Sequence, residues 1–210
     1  RTVQLFFDVS DTQLNYHPAW PEVSKLAGIV LIDDTNVSVW AEKAKLFGTD
    51  IDYLSAEAWL GANRQMRLSL SGNMQGDAAD GLRVINNSPL TRILGNVFND
   101  WTMAGELTTA LNLQMNLGDA SVPPVVEVEA GLRDVDLLIR PGELSLTGVT
   151  GDLVYSTARG LSASNVTGSL WGRPFLADIS QGGIDQLAPD TAYDPKVSPV
   201  QVSAQGTIEV

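Results

Sequence analysis

The sequence predicts a mainly β protein built from antiparallel strands, with one short helical segment. Three observations support this fold class. Apolar and polar residues alternate along most of the chain, turn-forming residues separate the alternating stretches, and the first quarter of the sequence returns about 123 residues later. Alternation of this kind is typical of strands that have one apolar and one polar face.

The alternation locates the predicted strands. It is clearest in stretches that begin at Val3, Met66, Met103, Val126 and Val200. Between them lie residues with strong turn preferences, at 33–36, 61–63, 140–142 and 157–160. These spacings suit antiparallel hairpins, and the usual lengths of strands and turns predict about a dozen strands. Residues 181–199, with two adjacent glycines and three prolines, predict a long irregular loop.

Residues 78–100 break the alternation and predict one or two short helices. Ser88 suits the N-cap of a helix, and Pro89 suits its first position. Apolar residues then recur at three- and four-residue spacing, at Leu90, Ile93, Leu94, Val97, Phe98 and Trp101. Such a helix can cover one end of a sheet or lie on a membrane surface. We favour the first interpretation, because interfacial helices usually display several bases and this polar face carries only Arg92.

The internal repeat predicts a modular surface rather than a catalytic fold, since repeated β units usually build long scaffolds or tracks. One extra residue enters the second copy near Arg159, in a predicted turn. We expect one continuous fragment of a longer groove, with repeat units 3–75 and 126–210 joined by the helical segment 78–100 and a strand at 102–118. The matched residues are Val3, Leu5, Asp11, Leu14, Pro18, Gly28, Ser38, Leu46, Phe47 and Gly48 with Val126, Val128, Asp134, Leu137, Pro141, Gly151, Ser162, Leu170, Trp171 and Gly172.

Composition and charge exclude several functional classes. The chain has 25 acidic and 13 basic residues and a net charge of −12, so a nucleic acid or an anionic membrane surface would repel it. The absence of cysteine excludes disulfides and thiolate metal sites, and suits an oxidising compartment such as the periplasm. No run of 18 apolar residues predicts a membrane span within the chain.

The sequence contains no recognisable catalytic motif. His17 is the single histidine, and its counterpart in the second repeat is Arg140. Asp33 with Asp34, and Asp77 with Asp80, are the closest carboxylate groups. Such pairs can bind calcium or act in acid–base catalysis, but in turns they more often accept hydrogen bonds from nearby backbone amides. We therefore expect no enzymatic activity, no metal and no other cofactor.

Two of the five tryptophans interrupt the alternation. Trp59 shares the predicted polar face of its strand with Glu57, and Trp40 lies between Val39 and Ala41. The ordinary interpretation of both is packing at a sheet edge. The functional alternative is a surface that stacks on carbohydrate or contacts lipid chains.

The sequence resembles the AsmA-like family of large Gram-negative envelope proteins, in particular its YhdP branch. The resemblance covers essentially the whole chain, and its motifs are glycines and turns rather than catalytic signatures. The residues that carry it are Gly76-Asp77-Ala78, Asn87-Ser88-Pro89-Leu90, Asp100-Trp101, Ala104-Gly105-Glu106-Leu107, Gly151-Asp152-Leu153-Val154-Tyr155, Gly160-Leu161-Ser162-Ala163 and Leu170-Trp171-Gly172-Arg173-Pro174.

The resemblance implies an elongated, strongly curved antiparallel sheet with a taco-like cross-section, built from repeating β-groove units. It implies that the parent chain is anchored in the inner membrane and extends through the periplasm towards the outer membrane. The implied ligands are phospholipid acyl chains sheltered on an apolar concave face. The other implied partners are neighbouring groove repeats of the same parent chain.

Physical reasoning from the residues agrees with a groove but leaves alternatives. With so little helix, either a second sheet covers the apolar face or the sheet curls and leaves an apolar channel. A structural spacer of solenoid or adhesin type would have a dry, packed interior. A carbohydrate-binding or hydrolytic sandwich would need exposed aromatic residues beside paired carboxylates, and these are not evident in the sequence.

If the groove exists, one alternation set of each strand lines it. The candidate lining residues are Leu5, Phe7, Leu14, Val30, Ile32, Val39, Leu68, Leu70, Leu107, Leu111, Leu113, Val128, Leu132, Leu153, Tyr155, Leu170, Val202 and Ile208. The alternative for each of them is ordinary core packing.

Overall fold

The strands of this protein pair in sequence order in a single sheet. The computed structural model describes residues 3–15, 20–62, 64–88, 90–91, 98–117, 122, 124–140, 142–181 and 200–206. Its elements are β1 Gln4–Leu14, β2 Val23–Asp33, β3 Asn36–Leu46, β4 Thr49–Leu60, β5 Met66–Asp77, α1 Ala78–Asn86, β6 Trp101–Asn116, β7 Val125–Ile139, β8 Leu144–Ser156, β9 Gly160–Leu170, β10 Arg173–Gln181 and β11 Val200–Gly206.

Every neighbouring pair of strands is antiparallel, and β1 and β11 lie at opposite edges of the sheet. The sheet is therefore open rather than closed into a barrel. At about 4.8 Å per strand, the path along the sheet from β1 to β11 is about 48 Å. The predicted fold class is confirmed: the protein is mainly β, with an elongated, curved antiparallel sheet and a short helix within 78–100.

A line of β-bulges crosses the sheet and explains its curvature. Asp11, Lys25, Asp134 and Asn165 adopt φ between +51° and +58°, and the strand register shifts beside each of them. A bulge bends its strand and increases the local twist. The register places the bulges of β1–β4 side by side, and places those of β7–β9 side by side about four residues closer to the turn ends reached by Ile139 and Trp101. Gly105 of β6 lies opposite the bulge at Asp134. We call these two rows together the bulge line; it consists of Asp11, Lys25, Asp52, Gly105, Asp134, Gly148 and Asn165.

The bulge line divides the sheet into a short arm and a long arm, although, among the described strands, the extra residues themselves lie only in β1–β4 and β7–β9. The short arm ends beside the turn at Phe47-Gly48, and the long arm ends beside the turn at Asp34-Thr35. Each bulge adds one residue and so reverses the parity of the alternation. Phe7 and Leu14 therefore share one face of β1, although an unbroken strand would place them on opposite faces.

Backbone geometry recurs between the two repeats. β3 and β9 have the same length of 11 residues, and each is followed by a turn whose first residue has positive φ, +55° at Phe47 and +52° at Trp171. Lys25 and Gly148 also correspond, with φ of +51° and +62°. Residues 157–159 separate β8 from β9, one residue more than the turn between β2 and β3. The division into units 3–75 and 126–210 stays a prediction.

The helix α1 begins at a well-formed cap. The Asp77 carboxylate accepts a hydrogen bond from the Ala79 N–H at 2.8 Å, and the Asn87 N–H donates to the Arg83 carbonyl at 2.9 Å. Leu90 and Thr91 are also helical, whereas Trp101 begins β6 and pairs with Ile139. Residues 92–97 of the second predicted helix, His17, the predicted loop 182–199 and Ile208 lie outside the described residues, and Phe98 packs edge-on against Trp101.

The buried residues form three clusters, all on one side of the sheet, which we call the inner face. The first lies on β2–β4 and includes Leu26 and Ala41. The second lies on β7–β9 with Ala78 of α1, and includes Val135. The third joins Leu90 to the long arm of β6–β8. The core therefore lies along the bulge line and beneath α1 and Leu90.

Candidate functional site

The inner face is apolar along its whole length. Residues that pair directly across antiparallel strands project from the same side of a sheet. Starting from the buried Ala41, the pairs lead through Leu54, Gly72 and Leu111 to Val128. Outside the bulge line, Arg173 is the one charged residue that this register places on the inner face of the described strands, and it lies at the end of the short arm.

The register places the predicted lining residues on this one face, apart from Ile208, which lies outside the described part of the chain. Leu5 pairs with Ile32, Val30 with Val39, and Ile179 with Val202. Their role in binding lipid stays a prediction, because a shared face does not by itself distinguish a ligand surface from a core.

The inner face is half open on the long arm of β1–β5. Leu5 and Phe7 are each 46% exposed, and Leu60 is 43% exposed. The other side chains in this region are half-buried and aliphatic. We call this surface the open trough; its residues are Leu5, Phe7, Val30, Ile32, Val37, Val39, Ala56, Ala58, Leu60, Met66 and Leu68.

The same face is covered on the long arm of β6–β8. Leu113 is 3% exposed and Val126 is 1% exposed, and both pack against Leu90 and Tyr155. Trp20, from the connection between β1 and β2, packs against the same cluster. In a flat sheet β2 and β6 would lie about 19 Å apart, so this contact requires the curled sheet and the segment after β5. We call this region the closed section.

Beyond the closed section the inner face opens again. Val202 of β11 is 61% exposed, and Leu161 and Ile179 on β9 and β10 are half-buried. The open trough and this second opening are therefore separated by a packed stretch of about three strands.

The outer face carries the charge. Lys45 pairs with Asp50 at 2.6 Å, and Arg133 pairs with Asp152 at 3.0 Å. A depression of about 540 Å³ over β4–β6 is lined by Asp50, Asp52, Gln75, Gly76, Asp77, Gly105 and Glu106. In the described residues no group of three or more His, Cys, Asp or Glu side chains has the arrangement of a metal site.

The carboxylates singled out in the sequence have structural contacts. Asp77 caps α1. Asp80 accepts a hydrogen bond from the Gly48 N–H at 3.0 Å and forms an ion pair with Arg83 at 2.8 Å. Asp34 accepts a hydrogen bond from the Val3 N–H at 2.9 Å. The turn interpretation fits Asp34, which lies in the turn between β2 and β3, whereas Asp80 lies within α1 and bonds the distant Gly48.

Trp40 and Trp59 lie on the outer face. Trp40 is 39% exposed and pairs with Ile29 and Ser55, and Trp59 pairs with Arg67. Neither reaches the inner face, so neither lines the groove. Phe6 is also on the outer face and is 66% exposed, which leaves an apolar strip on the outside of β1–β3.

The sequence analysis missed the bulge line and the closure of one section. A signal for the bulges was present, because the apolar parity changes between Phe7 and Leu14 and the repeat preserves Asp11 as Asp134. Aspartate tolerates the left-handed conformation better than most residues. No comparable signal marked Leu90 as the cover of Val126.

A family model described as YhdP protein matches residues 1–207 of this chain. The chain belongs to the YhdP family. Family membership and the curved, open antiparallel sheet fit a module of a lipid-transport groove. No curated protein and no solved structure gives a significant match to this YhdP-family chain. Among the helical segments that the structure describes, none is long and apolar enough to cross a membrane.

Proposed function

We propose that this protein is a module of a periplasmic groove that carries phospholipids between the inner and outer membranes. Acyl chains lie on the apolar inner face while headgroups stay in water. One observation carries the proposal: the open trough presents exposed Leu5, Phe7 and Leu60 and contains no charged side chain. Exposed apolar side chains gathered on one surface mark a site that binds a ligand or another chain.

The energy of binding comes from the methylene groups. Each buried methylene contributes about 0.8 kcal/mol, so ten methylenes contribute about 8 kcal/mol before the cost of ordering the lipid. The five strands of the trough span about 19 Å between the axes of β1 and β5. This region can therefore hold a lipid chain without a polar site for its headgroup.

The edges of the sheet support the proposed partners. β1 and β11 each present one edge without a strand neighbour among the described residues. Open edges pair readily with further strands. We propose that neighbouring groove repeats of the parent chain extend the sheet there, and that the parent chain is anchored in the inner membrane.

The proposal includes no enzymatic activity, no cofactor and no nucleic-acid partner. The acidic side chains with contacts described above hold turns, the helix cap and outer-face ion pairs. The net charge of −12 disfavours a nucleic acid. Such a module works by shielding chains from water, which needs no reacting group.

The test is native mass spectrometry of the protein purified from a bacterial periplasm, combined with extraction and identification of bound lipid. Leu68→Asp places a charge on the floor of the open trough. Ser69→Asp places the same charge on the outer face of the same strand and is the matched control. We expect bound phospholipid in the unmodified protein and in Ser69→Asp, and at least tenfold less in Leu68→Asp. Absence of lipid and of acyl-probe uptake in all three proteins would refute the proposal.

The closed section favours a second candidate, a structural spacer of solenoid or adhesin type. Leu113, Val126 and Tyr155 are packed as a dry spacer requires. The spacer predicts that Leu68→Asp and Ser69→Asp behave alike towards an acyl probe. The half-open trough is the reason that we prefer the groove.

A further inference from the structure

Of the chain between β5 and β6, α1 and Leu90 lie on the inner face of the groove. On one side of α1, Asp80 accepts the hydrogen bond from Gly48, and the Arg83 guanidinium lies 4.2 Å from the ring centroid of Phe47. Both contacts are to the turn between β3 and β4. Two residues before Asp80, and so on the opposite side of the first helical turn, Ala78 is 0% exposed and packs in a cluster with Val135 of β7. The start of the helix therefore lies between the turn that joins β3 to β4 and β7, over the short arm.

The same segment then reaches the long arm. Leu90 is 7% exposed and packs against Leu113 and Val126, near the far end of β6 and β7. Ala78 of α1 covers the short arm and Leu90 covers the long arm, both at the level of β6 and β7 along the groove. On the β1–β5 side of this place the long arm of the inner face is half open, and at this place it is closed.

We propose that α1 and Leu90 form a partition that stops acyl chains at β6. While the partition is docked, a chain in the open trough does not reach the inner faces of β7 and β8. When α1 and Leu90 detach from the sheet, the open trough and the exposed inner face of β9–β11 form one continuous apolar surface. This inference rests on the proposed function and adds that passage through the module is gated.

The contacts between α1 and the sheet are few enough for the helix to detach and dock again. Helices of fewer than about 12 residues are marginal on their own, and α1 has nine residues. Its buried side chains are Ala78 and Leu82, and its polar contacts to the sheet lie at the surface. Elements with few buried contacts are those that open at low cost.

A disulfide can lock the partition, because the chain has no cysteine of its own. The Cγ of Asp80 lies 3.6 Å from the position of a Cβ atom built on Gly48. A cysteine sulfur at residue 80 would stand near the position of this Cγ, and a bonded sulfur lies about 3 Å from the Cβ of its partner, so a small adjustment lets the double variant G48C/D80C join α1 to the turn between β3 and β4. Neither residue belongs to the open trough. G48C and D80C alone, treated with the same oxidant, are the matched controls.

The readout is the position of a bound acyl chain. Each protein is incubated with vesicles of a phospholipid that carries a diazirine at the end of one acyl chain. It is then irradiated, and the labelled peptides are identified by mass spectrometry. We expect labelling of β1–β5 in both redox states of G48C/D80C. We expect labelling of β7 and β8 to fall about tenfold or more on oxidation, because a disulfide typically stabilises by more than that factor in an equilibrium.

The alternatives give different results. Equal labelling of β7 and β8 in the oxidised and reduced double variant overturns the partition and leaves the groove intact. Absence of inner-face labelling in every protein and state overturns both the partition and the proposed function.

A second variant keeps the test independent of the disulfide. Leu90→Ala removes the side chain that covers Val126, and Leu176→Ala removes one of similar size from the outer face of β10, where it is 42% exposed. We expect Leu90→Ala to raise the ratio of β7–β8 labelling to β1–β5 labelling several-fold, and Leu176→Ala to leave it unchanged. An unchanged ratio in Leu90→Ala contradicts the partition.

Discussion

Val3 and Val126 occupy the same position in the two repeats, yet Val3 is 55% exposed and Val126 is 1% exposed. The same contrast holds between Ile32, which is half-buried in the open trough, and its counterpart Tyr155, which is 8% exposed in the closed section. The strands in question have similar alternation, and all pair in antiparallel order. What differs is the cover of the long arm, where Leu90 and Trp20 pack on the second repeat and no described residue packs in the same way on the first.

This contrast shows that the strand sequence decides which face is apolar, but not whether that face is a ligand surface or a core. An apolar side chain becomes core only when other atoms cover it. In the closed section the cover is Leu90 and Trp20, which come from two distant parts of the chain. In the open trough the cover is absent from the described contacts, and a lipid can supply it.

The largest expected difference is between two leucines on neighbouring strands. Leu113→Ala empties a position that is 3% exposed, and Leu68→Ala shortens a half-buried side chain in the trough. We expect Leu113→Ala to lower the free energy of unfolding by about 3 kcal/mol and Leu68→Ala by about 1 kcal/mol. Chemical denaturation of both variants measures these losses. Equal losses would show that the trough is core and would remove the basis of the comparison.

The next prediction concerns the bulge line beside the closed section. A Cβ on Gly105 would lie 2.8 Å from the Cα of Val135, whereas one on Gly142 would meet nothing within 4 Å. Their φ angles are similar, +124° and +115°. We expect Gly105→Ala to cost about 2 kcal/mol more than Gly142→Ala, because only the first adds a clash to the backbone strain. Thermal unfolding of the two variants measures the difference. Similar melting temperatures would argue against a close approach of the Gly105 and Val135 backbones.

A smaller effect is expected where the cover is attached. Asp80→Asn keeps the size of the side chain but weakens its contacts with the Gly48 N–H and Arg83. We expect a loss of about 1 kcal/mol that is confined to α1, because the bond is at the surface. Hydrogen exchange should speed up in residues 78–86 and stay unchanged in β2. Asp8→Asn, at an exposed outer-face carboxylate of β1, is the control and should change neither.

The smallest effect compares corresponding bulges in the two repeats. Lys25 and Gly148 share a left-handed conformation, which costs a lysine about 1 kcal/mol and a glycine almost nothing. Lys25→Gly should therefore raise the stability by about 0.5 kcal/mol, after the greater freedom of glycine in the unfolded chain is counted. Gly148→Ala should lower the stability by about 1 kcal/mol. A loss of stability in Lys25→Gly, or a gain in Gly148→Ala, in denaturation experiments would show that the two bulges are not equivalent.

Much of the candidate site was predictable. The register of the described strands places the proposed lining residues on one face, including Leu14, which lies beyond the bulge of its strand. The prediction of short helices within 78–100 was confirmed by α1, although the cap at Asp77 and the docking to Gly48 were not anticipated. The docking contact joins residues 32 positions apart in the chain, and no local pattern reports such a pairing.

The sequence by itself determined the strands, their turns, the apolar face and the small number of charged residues on it, because each follows from the identities of residues near one another in the chain. The tertiary structure decided the crease along the bulges and the closing of one section by Leu90 and α1. Burial is a property of contacts, and the residue that covers Val126 lies 36 positions earlier in the chain. Only the folded arrangement of distant segments therefore separates the open trough from the closed section.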